Sequence, residues 1–123
     1  MIYSREVLHH FTSPSNVYKM EDADAVGTKG DPDCGDALEM FIKVKENRIE
    51  EISYLVYGCC AAIATSSMTT ELAKGKTLEE AFAITEEDIA NALGGLPDNK
   101  MHCSNLGVSA LREAIMNYRR KQR

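Results

Sequence analysis

Two neighbouring segments in which apolar residues recur at every second position constrain the fold of this chain more than any other feature of its sequence. The first series consists of Leu38, Met40, Ile42 and Val44, and the second of Ile52, Tyr54 and Val56. A period of two is that of a β-strand with one face against a hydrophobic core. The sequence 46–48 between them predicts a hairpin turn, so antiparallel β-structure is expected in the first half of the chain.

The hydrophobic period changes to a helical one after Gly58. The first helical series consists of Ala61, Ala64, Met68 and Leu72. Thr77 and Thr85 then each begin an N-cap pattern, which predicts two short helices. A long final helix is marked by Gly107, Leu111, Ala114, Ile115 and Tyr118. Strands followed by helices predict an α+β fold.

One more helix is expected at the N-terminus. Val7, Leu8 and Phe11 lie on one side of it, and Pro14 ends it because proline disfavours helical geometry in the residue before it. The sequence contains no repeat, low-complexity segment or linker, so residues 1–123 are expected to form a single domain.

Charge and composition exclude several classes of function. Fourteen Lys and Arg against nineteen Asp and Glu give a net charge of -5, which argues against nucleic acid as a partner. The longest apolar run, 55–64, is interrupted by Gly58 and is too short to span a membrane. The N-terminus has neither a signal-peptide nor a transit-peptide pattern, so a cytoplasmic location is expected. In that reducing compartment the four cysteines are expected to be thiols, as metal ligands or reactive groups.

Three of the cysteines fall where a strand or helix is predicted to begin or end. Cys34 opens the first clear strand, in which Asp36 lies on the same side, and Cys59 follows at the strand-to-helix junction. Cys103, next to His102, lies near the start of the last helix. Unpaired amide groups and the dipole at a helix N-terminus favour the thiolate, which is both a nucleophile and a soft metal ligand. Convergence of the three ends on one metal is the resulting hypothesis, although the spacing matches no compact zinc-knuckle pattern.

Simpler structural roles stay open for these residues. Any single cysteine, and Cys60 most of all, can be a small buried hydrophobic residue. Asp36 can pair with a lysine, and His102 can cap a helix. His9 and His10 are expected at the surface. The hydroxyl residues Ser66, Ser67, Thr69 and Thr70 have no marked acid or base partner, so they are expected to serve packing.

These motifs belong to a longer ordered series of matches to one known family. The matching segments are His10–Phe11, Pro14, Asn16–Val17, Asp33–Asp36, Tyr57–Cys59, Ala61–Ser67, Thr70–Glu71, Gly75–Lys76, Leu96–Pro97, Lys100 and His102–Ser104. Together they resemble the IscU/NifU-type iron-sulfur cluster assembly scaffolds over nearly the whole chain. The resemblance implies a three-stranded antiparallel sheet packed against helices, with its third strand around Ala25 to Lys29.

The resemblance also implies a function and residue roles. Such scaffolds hold a nascent [2Fe-2S] cluster on three cysteines, here Cys34, Cys59 and Cys103, with Asp36 or His102 completing the coordination. Cys103 would accept persulfide sulfur from a cysteine desulfurase, and ferrous iron (Fe2+) would enter beside Asp36. Electrons would come from a ferredoxin-like donor, and the cluster would pass to apo iron-sulfur proteins. The protein is then a platform and not an enzyme, and Zn2+ can occupy the same site in the isolated protein.

The sequence departs from the family pattern at several positions. Cys60 stands where glycine is usual, and its role as a ligand, sulfur relay or oxidation partner stays open. Leu96–Lys100 lacks the second proline and the valine of the family's chaperone-binding segment, which leaves recognition by an Hsp70-type chaperone open. Ser15 and Tyr18 replace the usual arginine and glycine. A small zinc-binding or thiol-redox protein on the same fold is the alternative function.

Overall fold

The computed structural model describes residues 5–31, 36–58, 60–95 and 101–121, and this part of the chain contains three strands and five helices. In chain order they are α1 (Arg5–Thr12), β1 (Ala25–Asp31), β2 (Asp36–Lys45), β3 (Arg48–Tyr57), α2 (Cys60–Ala73), α3 (Leu78–Phe82), α4 (Glu86–Ala92) and α5 (Met101–Lys121). The strands form one antiparallel sheet in the order β1-β2-β3. The predicted α+β fold with a three-stranded sheet and a long C-terminal helix is confirmed.

The hairpin between β2 and β3 follows the two alternating series. Glu46 and Asn47 form the connection, and both have positive φ angles, 52° and 63°, as a type I′ turn requires. The register pairs Leu38 with Val56, Met40 with Tyr54 and Ile42 with Ile52, which places both apolar series on the same face of the sheet.

Helices α2 and α5 cover that inner face. Helix α2 is buried on most of its sides because nearly all of its residues are small. Three of its hydroxyl groups donate inside the helix: Ser66 Oγ to the carbonyl of Ala62, Thr69 Oγ1 to that of Thr65 and Thr70 Oγ1 to that of Ser67, each at 2.7 Å. The predicted packing role is confirmed for these three. Ser67 differs, because its Oγ lies 2.7 Å from an imidazole nitrogen of His10, so the expectation that it has no acid or base partner is wrong.

The face that α1 buries differs from the predicted one. Val7 and His10 are buried, whereas Leu8 and Phe11 are 48% and 41% exposed. His10 packs against α2, where its Nδ1 lies 2.7 Å from Ser67 Oγ and its Nε2 lies 3.0 Å from Glu71 Oε2. The surface position predicted for His10 is therefore wrong, because polar partners on α2 allow an imidazole to be buried. His9 is exposed, as predicted.

The two short helices begin where the N-cap patterns place them. Thr77 and Thr85 each accept a hydrogen bond from the backbone amide three residues later, and the side chains of Glu80 and Asp88 complete two capping boxes. Arg112 of α5 donates to the carbonyls of Phe82 and Ile84 at 3.1 and 2.9 Å, which holds the end of α3 and the segment leading to α4 against α5.

Candidate metal centre

One edge of the sheet collects the ends of all three strands. Asp31 at the end of β1 pairs with Asp36 at the start of β2, and Ala37 pairs with Tyr57 at the end of β3. Helix α2 begins at Cys60, three residues after Tyr57, and therefore starts at the same edge. We call the edge formed by Asp31, Asp36 and Tyr57 the site edge.

Helix α5 also begins at the site edge, because it runs antiparallel to β1. From its C-terminal end upward, Lys121 Nζ donates to the carbonyl of Asp24 at 2.7 Å, and Asn117 Nδ2 donates to that of Val26 at 2.7 Å. Glu113 Oε2 then accepts from the amide of Thr28 at 3.2 Å. Earlier residues of α5 thus lie beside later residues of β1, and the first turn of α5 points toward the end of β1.

The distances along the two elements agree with this placement. Gly27 lies against Ala110 of α5. From there back to Cys103 is about 10 Å of helix at 1.5 Å per residue, and from Gly27 forward to Asp31 is about 13 Å of strand at 3.3 Å per residue. The first turn of α5 and the start of β2 therefore lie at about the same level.

The sequence-predicted site residues are distributed over these ends. Asp36 is the first residue of β2, and His102 and Cys103 are in the first turn of α5. Cys34 and Cys59 lie outside the described residues, as does the segment 96–100. In sequence, Cys34 is two residues before Asp36, and Cys59 directly precedes Cys60, which opens α2. The structure places the starts of β2, α2 and α5 at one edge of the sheet. Which side chains bind a metal there stays a prediction.

Two helix N-termini contribute partial positive charge at the site edge, next to the acidic residues Asp31 and Asp36. The first turns of α2 and α5 contain no acidic residue, whereas those of α3 and α4 contain Glu79–Glu80 and Glu86–Asp88. The partial positive charge at the start of α2 and α5 is therefore not neutralised by their own carboxylates. Such helix ends favour thiolates and other anions.

A cleft of about 360 Å³ lies beside the site edge on the outer face of the sheet. Its lining is mostly apolar, with Ala37, Leu55 and Tyr57, and it also includes Thr28 and Glu39. The Tyr57 side chain is 74% exposed there. Among the side chains that the structure describes, no group of three His, Cys, Asp or Glu residues lies close enough to hold a metal ion.

Sequence reasoning missed three residues that shape this region. His10 ties α1 to α2, and Gly27 and Asn117 form the contact between β1 and α5. The hydroxyl cluster of α2 was a signal for His10, since buried hydroxyls call for a polar partner. No local pattern marks Gly27 or Asn117, because their contacts join elements far apart in sequence.

Fold and site together define a small α+β protein with a candidate metal centre at one edge of its sheet. The comparison with protein families is more specific: the family model described as the NifU-like N terminal domain matches residues 2–123. The chain therefore belongs to the NifU-like N-terminal domain family.

Relatives agree with that assignment, and a solved structure agrees with the fold. The chain is 62% identical over 120 residues to the iron-sulfur cluster assembly scaffold protein IscU 1 of Archaeoglobus fulgidus, covering 98% of this chain and 78% of that protein. It is 44% identical over 126 residues to the scaffold protein IscU of Haemophilus influenzae, covering 99% of each. In fold it is similar to the N-terminal part of a NifU-like protein from Brucella abortus, with a TM-score of 0.74, 16% identity, and coverage of 95% and 94%.

None of the helices in the described part of the chain combines the length and the apolar character needed to cross a membrane.

Proposed function

We propose that this protein is a scaffold on which an iron-sulfur cluster is assembled and from which it is transferred to other proteins. The observation that carries the proposal is the meeting of β2, α2 and α5 at the site edge, where two helix N-termini without acidic residues favour thiolates. The names of the relatives, which are scaffold proteins, support it. They do not favour the alternative of a zinc-binding or thiol-redox protein.

In this proposal the cluster is cargo and is held by Cys34, Cys59 and Cys103, with Asp36 or His102 as the fourth group. Thiolates are the usual ligands of iron-sulfur clusters. Replacing one thiolate by a carboxylate or an imidazole gives a more labile site, which suits a cluster that has to leave.

Cys103 is proposed to receive the sulfur. Its thiolate attacks the terminal sulfur of a persulfide on a cysteine desulfurase, the sulfur-sulfur bond breaks, and the donor cysteine leaves as a thiolate. Reduction of the new persulfide to sulfide takes two electrons, for which a ferredoxin-type donor is proposed. Ferrous iron is proposed to enter beside Asp36, the product to be a [2Fe-2S] cluster, and the acceptors to be apo iron-sulfur proteins. Zn2+ would compete for the same ligands.

Anaerobic reconstitution tests the proposal. The protein is incubated with ferrous iron, L-cysteine and a catalytic amount of cysteine desulfurase, followed by visible absorption and by transfer to an apo-ferredoxin. We expect visible absorption that requires the added L-cysteine and that is lost in Cys34→Ala, Cys59→Ala and Cys103→Ala. We also expect the cluster to be transferred to the apo-ferredoxin. Cys60→Ala is the matched control, and it is expected to keep both steps.

Two results would contradict the scaffold function. One is a protein that holds zinc tightly and neither forms nor releases a cluster. The other is a reversible disulfide between Cys59 and Cys60 combined with the opposite ranking of the variants, in which Cys60→Ala abolishes activity and Cys34→Ala and Cys103→Ala retain it.

A further inference from the structure

Helix α5 rests directly on the backbone of β1 at Gly27. A Cβ atom at this position would lie 2.1 Å from the carbonyl oxygen of Ala110 and 2.5 Å from the amide nitrogen of Ala114. Both are backbone atoms of α5, so no side-chain rotation relieves the clash. Any residue other than glycine forces the whole helix away from the strand, by roughly 1 Å for a single methyl group.

Side chains of α5 fix its position along β1. Glu113, Asn117 and Lys121 are spaced four residues apart and therefore lie on one face of the helix. They bond to the backbone of Thr28, Val26 and Asp24 respectively. Thr28 and Val26 belong to β1, the edge strand of the sheet that the described residues form, so their outward backbone groups are open to side-chain partners, and Asp24 directly precedes this strand.

The two contacts restrict α5 in different directions. Gly27 sets how closely the helix approaches the sheet, and the three hydrogen bonds set how far it lies along the strand. The first turn of the same helix carries His102 and Cys103, and the strand next to β1 begins at Asp36. A shift of α5 therefore changes the separation between Asp36 and the first turn of α5.

We propose that Gly27, Glu113 and Asn117 are positioning residues for the metal centre, which set where His102 and Cys103 stand relative to Asp36. The proposal rests on the proposed function, because it assumes that these residues share one site. None of the three positioning residues is expected to touch the metal. They act on the metal centre indirectly, by fixing the position of α5 against β1.

Cobalt(II) binding to the full chain under anaerobic conditions tests this inference without cluster assembly. Its thiolate charge-transfer and d–d bands report the number and arrangement of ligands. We expect Gly27→Ala and the double variant Glu113→Ala/Asn117→Ala to weaken cobalt(II) binding by roughly tenfold, as loss of a supporting contact around metal ligands does. The shape of the d–d bands is expected to change as well.

Two controls separate positioning from general stability. Ile49→Ala removes a fully buried side chain at the opposite end of the sheet from the site edge. Glu87→Ala/Asn91→Ala removes the same two residue types, again four residues apart, from the exposed surface of α4. Both controls are expected to keep the wild-type cobalt(II) affinity and band shape, with folding of every variant checked by far-ultraviolet circular dichroism.

The outcomes distinguish this inference from the proposed function. If wild-type protein shows no thiolate–cobalt bands, the proposed function fails and the inference fails with it. If wild-type protein shows them and Glu113→Ala/Asn117→Ala, folded, keeps the wild-type affinity and spectrum, only the positioning role is overturned. The same holds if Ile49→Ala changes the spectrum as much as the positioning variants do. Should Gly27→Ala not fold, the double variant decides.

Discussion

His10 joins the N-terminal helix to the helix that starts at the site edge. Both of its ring nitrogens have partners on α2, Ser67 and Glu71, and only 6% of the residue is exposed. Ser67 Oγ also accepts a hydrogen bond from the amide of Ser15 at 2.8 Å, so the end of α1 depends on the same group. His10 thus ties α1 to α2, and Ser67, which His10 contacts, also binds the following loop.

His10→Ala leaves a cavity and a buried hydroxyl with fewer partners, so it is expected to lower the free energy of unfolding by about 2 kcal/mol. Urea unfolding measures the change. His9→Ala is the matched control, because His9 is exposed and adjacent, and its effect is expected to stay within about 0.5 kcal/mol. Equal effects of the two substitutions would contradict the role given to His10.

The buried phenol of Tyr54 makes the stability of the protein depend on pH in the alkaline range. Burial raises the pKa of Tyr54 from 10.0 to about 12. The folded protein therefore keeps the phenol proton to higher pH than the unfolded chain does. The resulting stability is complete below pH 10 and is lost as the pH rises toward 12.

Unfolding free energies measured between ~pH 9 and ~pH 12 check this expectation. The value at ~pH 9 is the baseline, because it lies about one unit below the ordinary tyrosine pKa. Tyr54→Phe is expected to show a smaller loss of stability over the alkaline range than wild type. Tyr57→Phe, which changes an exposed tyrosine in the same strand, serves as the control. A wild-type slope in Tyr54→Phe would show that another group causes the alkaline loss.

At the level of elements, one residue of the β2–β3 hairpin turn has an unfavourable backbone conformation that a substitution can relieve. Glu46 occupies the left-handed region with a φ of 52°, which residues with a Cβ atom adopt at a cost. Asparagine tolerates this conformation and is preferred at the first position of a type I′ turn.

Glu46→Asn is therefore expected to raise the free energy of unfolding by about 0.5–1 kcal/mol. Thermal or urea unfolding is the measurement. Glu46→Ala tests whether the gain comes from the turn conformation or from loss of the carboxylate. Alanine also pays the left-handed cost, so it is expected to give no gain, and a gain equal to that of asparagine would count against the explanation.

The elements also show which parts of the fold can be predicted from sequence. The β2–β3 hairpin follows from alternation because its inner residues, such as Met40 and Tyr54, meet one continuous core. Strand β1 has no such signal, because Ala25 and Gly27 face the core where α5 approaches closely. Its position came from the family resemblance. The buried face of α1 was misassigned because its second buried residue is polar and depends on a partner 57 positions away.

For the candidate site, the sequence indicated which strand and helix ends matter but not what holds them in place. The sequence predicted that the first clear strand opens at Cys34 and that the last helix begins just past the break at Pro97. The position of α5 against β1 could not be predicted, since Asn117 and its partner Val26 are 91 positions apart and meet only in the folded chain.

At the level of the whole molecule, the described residues share one continuous hydrophobic core. It joins the inner face of the sheet to α2 and α5 through fully buried side chains that include Met40, Tyr54, Leu111 and Ile115. A domain of this length buries enough apolar surface to fold with a stability of about 5–15 kcal/mol. A structural zinc protein, by contrast, obtains its folding free energy from the metal.

Metal removal therefore distinguishes a protein that its core holds together from a structural zinc protein. After chelation the protein is expected to keep its far-ultraviolet circular dichroism spectrum and a cooperative urea transition. Zn2+ at a hundredfold excess over its dissociation constant is expected to add only about 2.7 kcal/mol. Cys34→Ser/Cys103→Ser should lose that increment and keep the metal-free stability. Leu111→Ala should lose about 2–5 kcal/mol with or without metal. A chelated protein without a cooperative transition would instead mean that the metal, and not the core, holds the fold together.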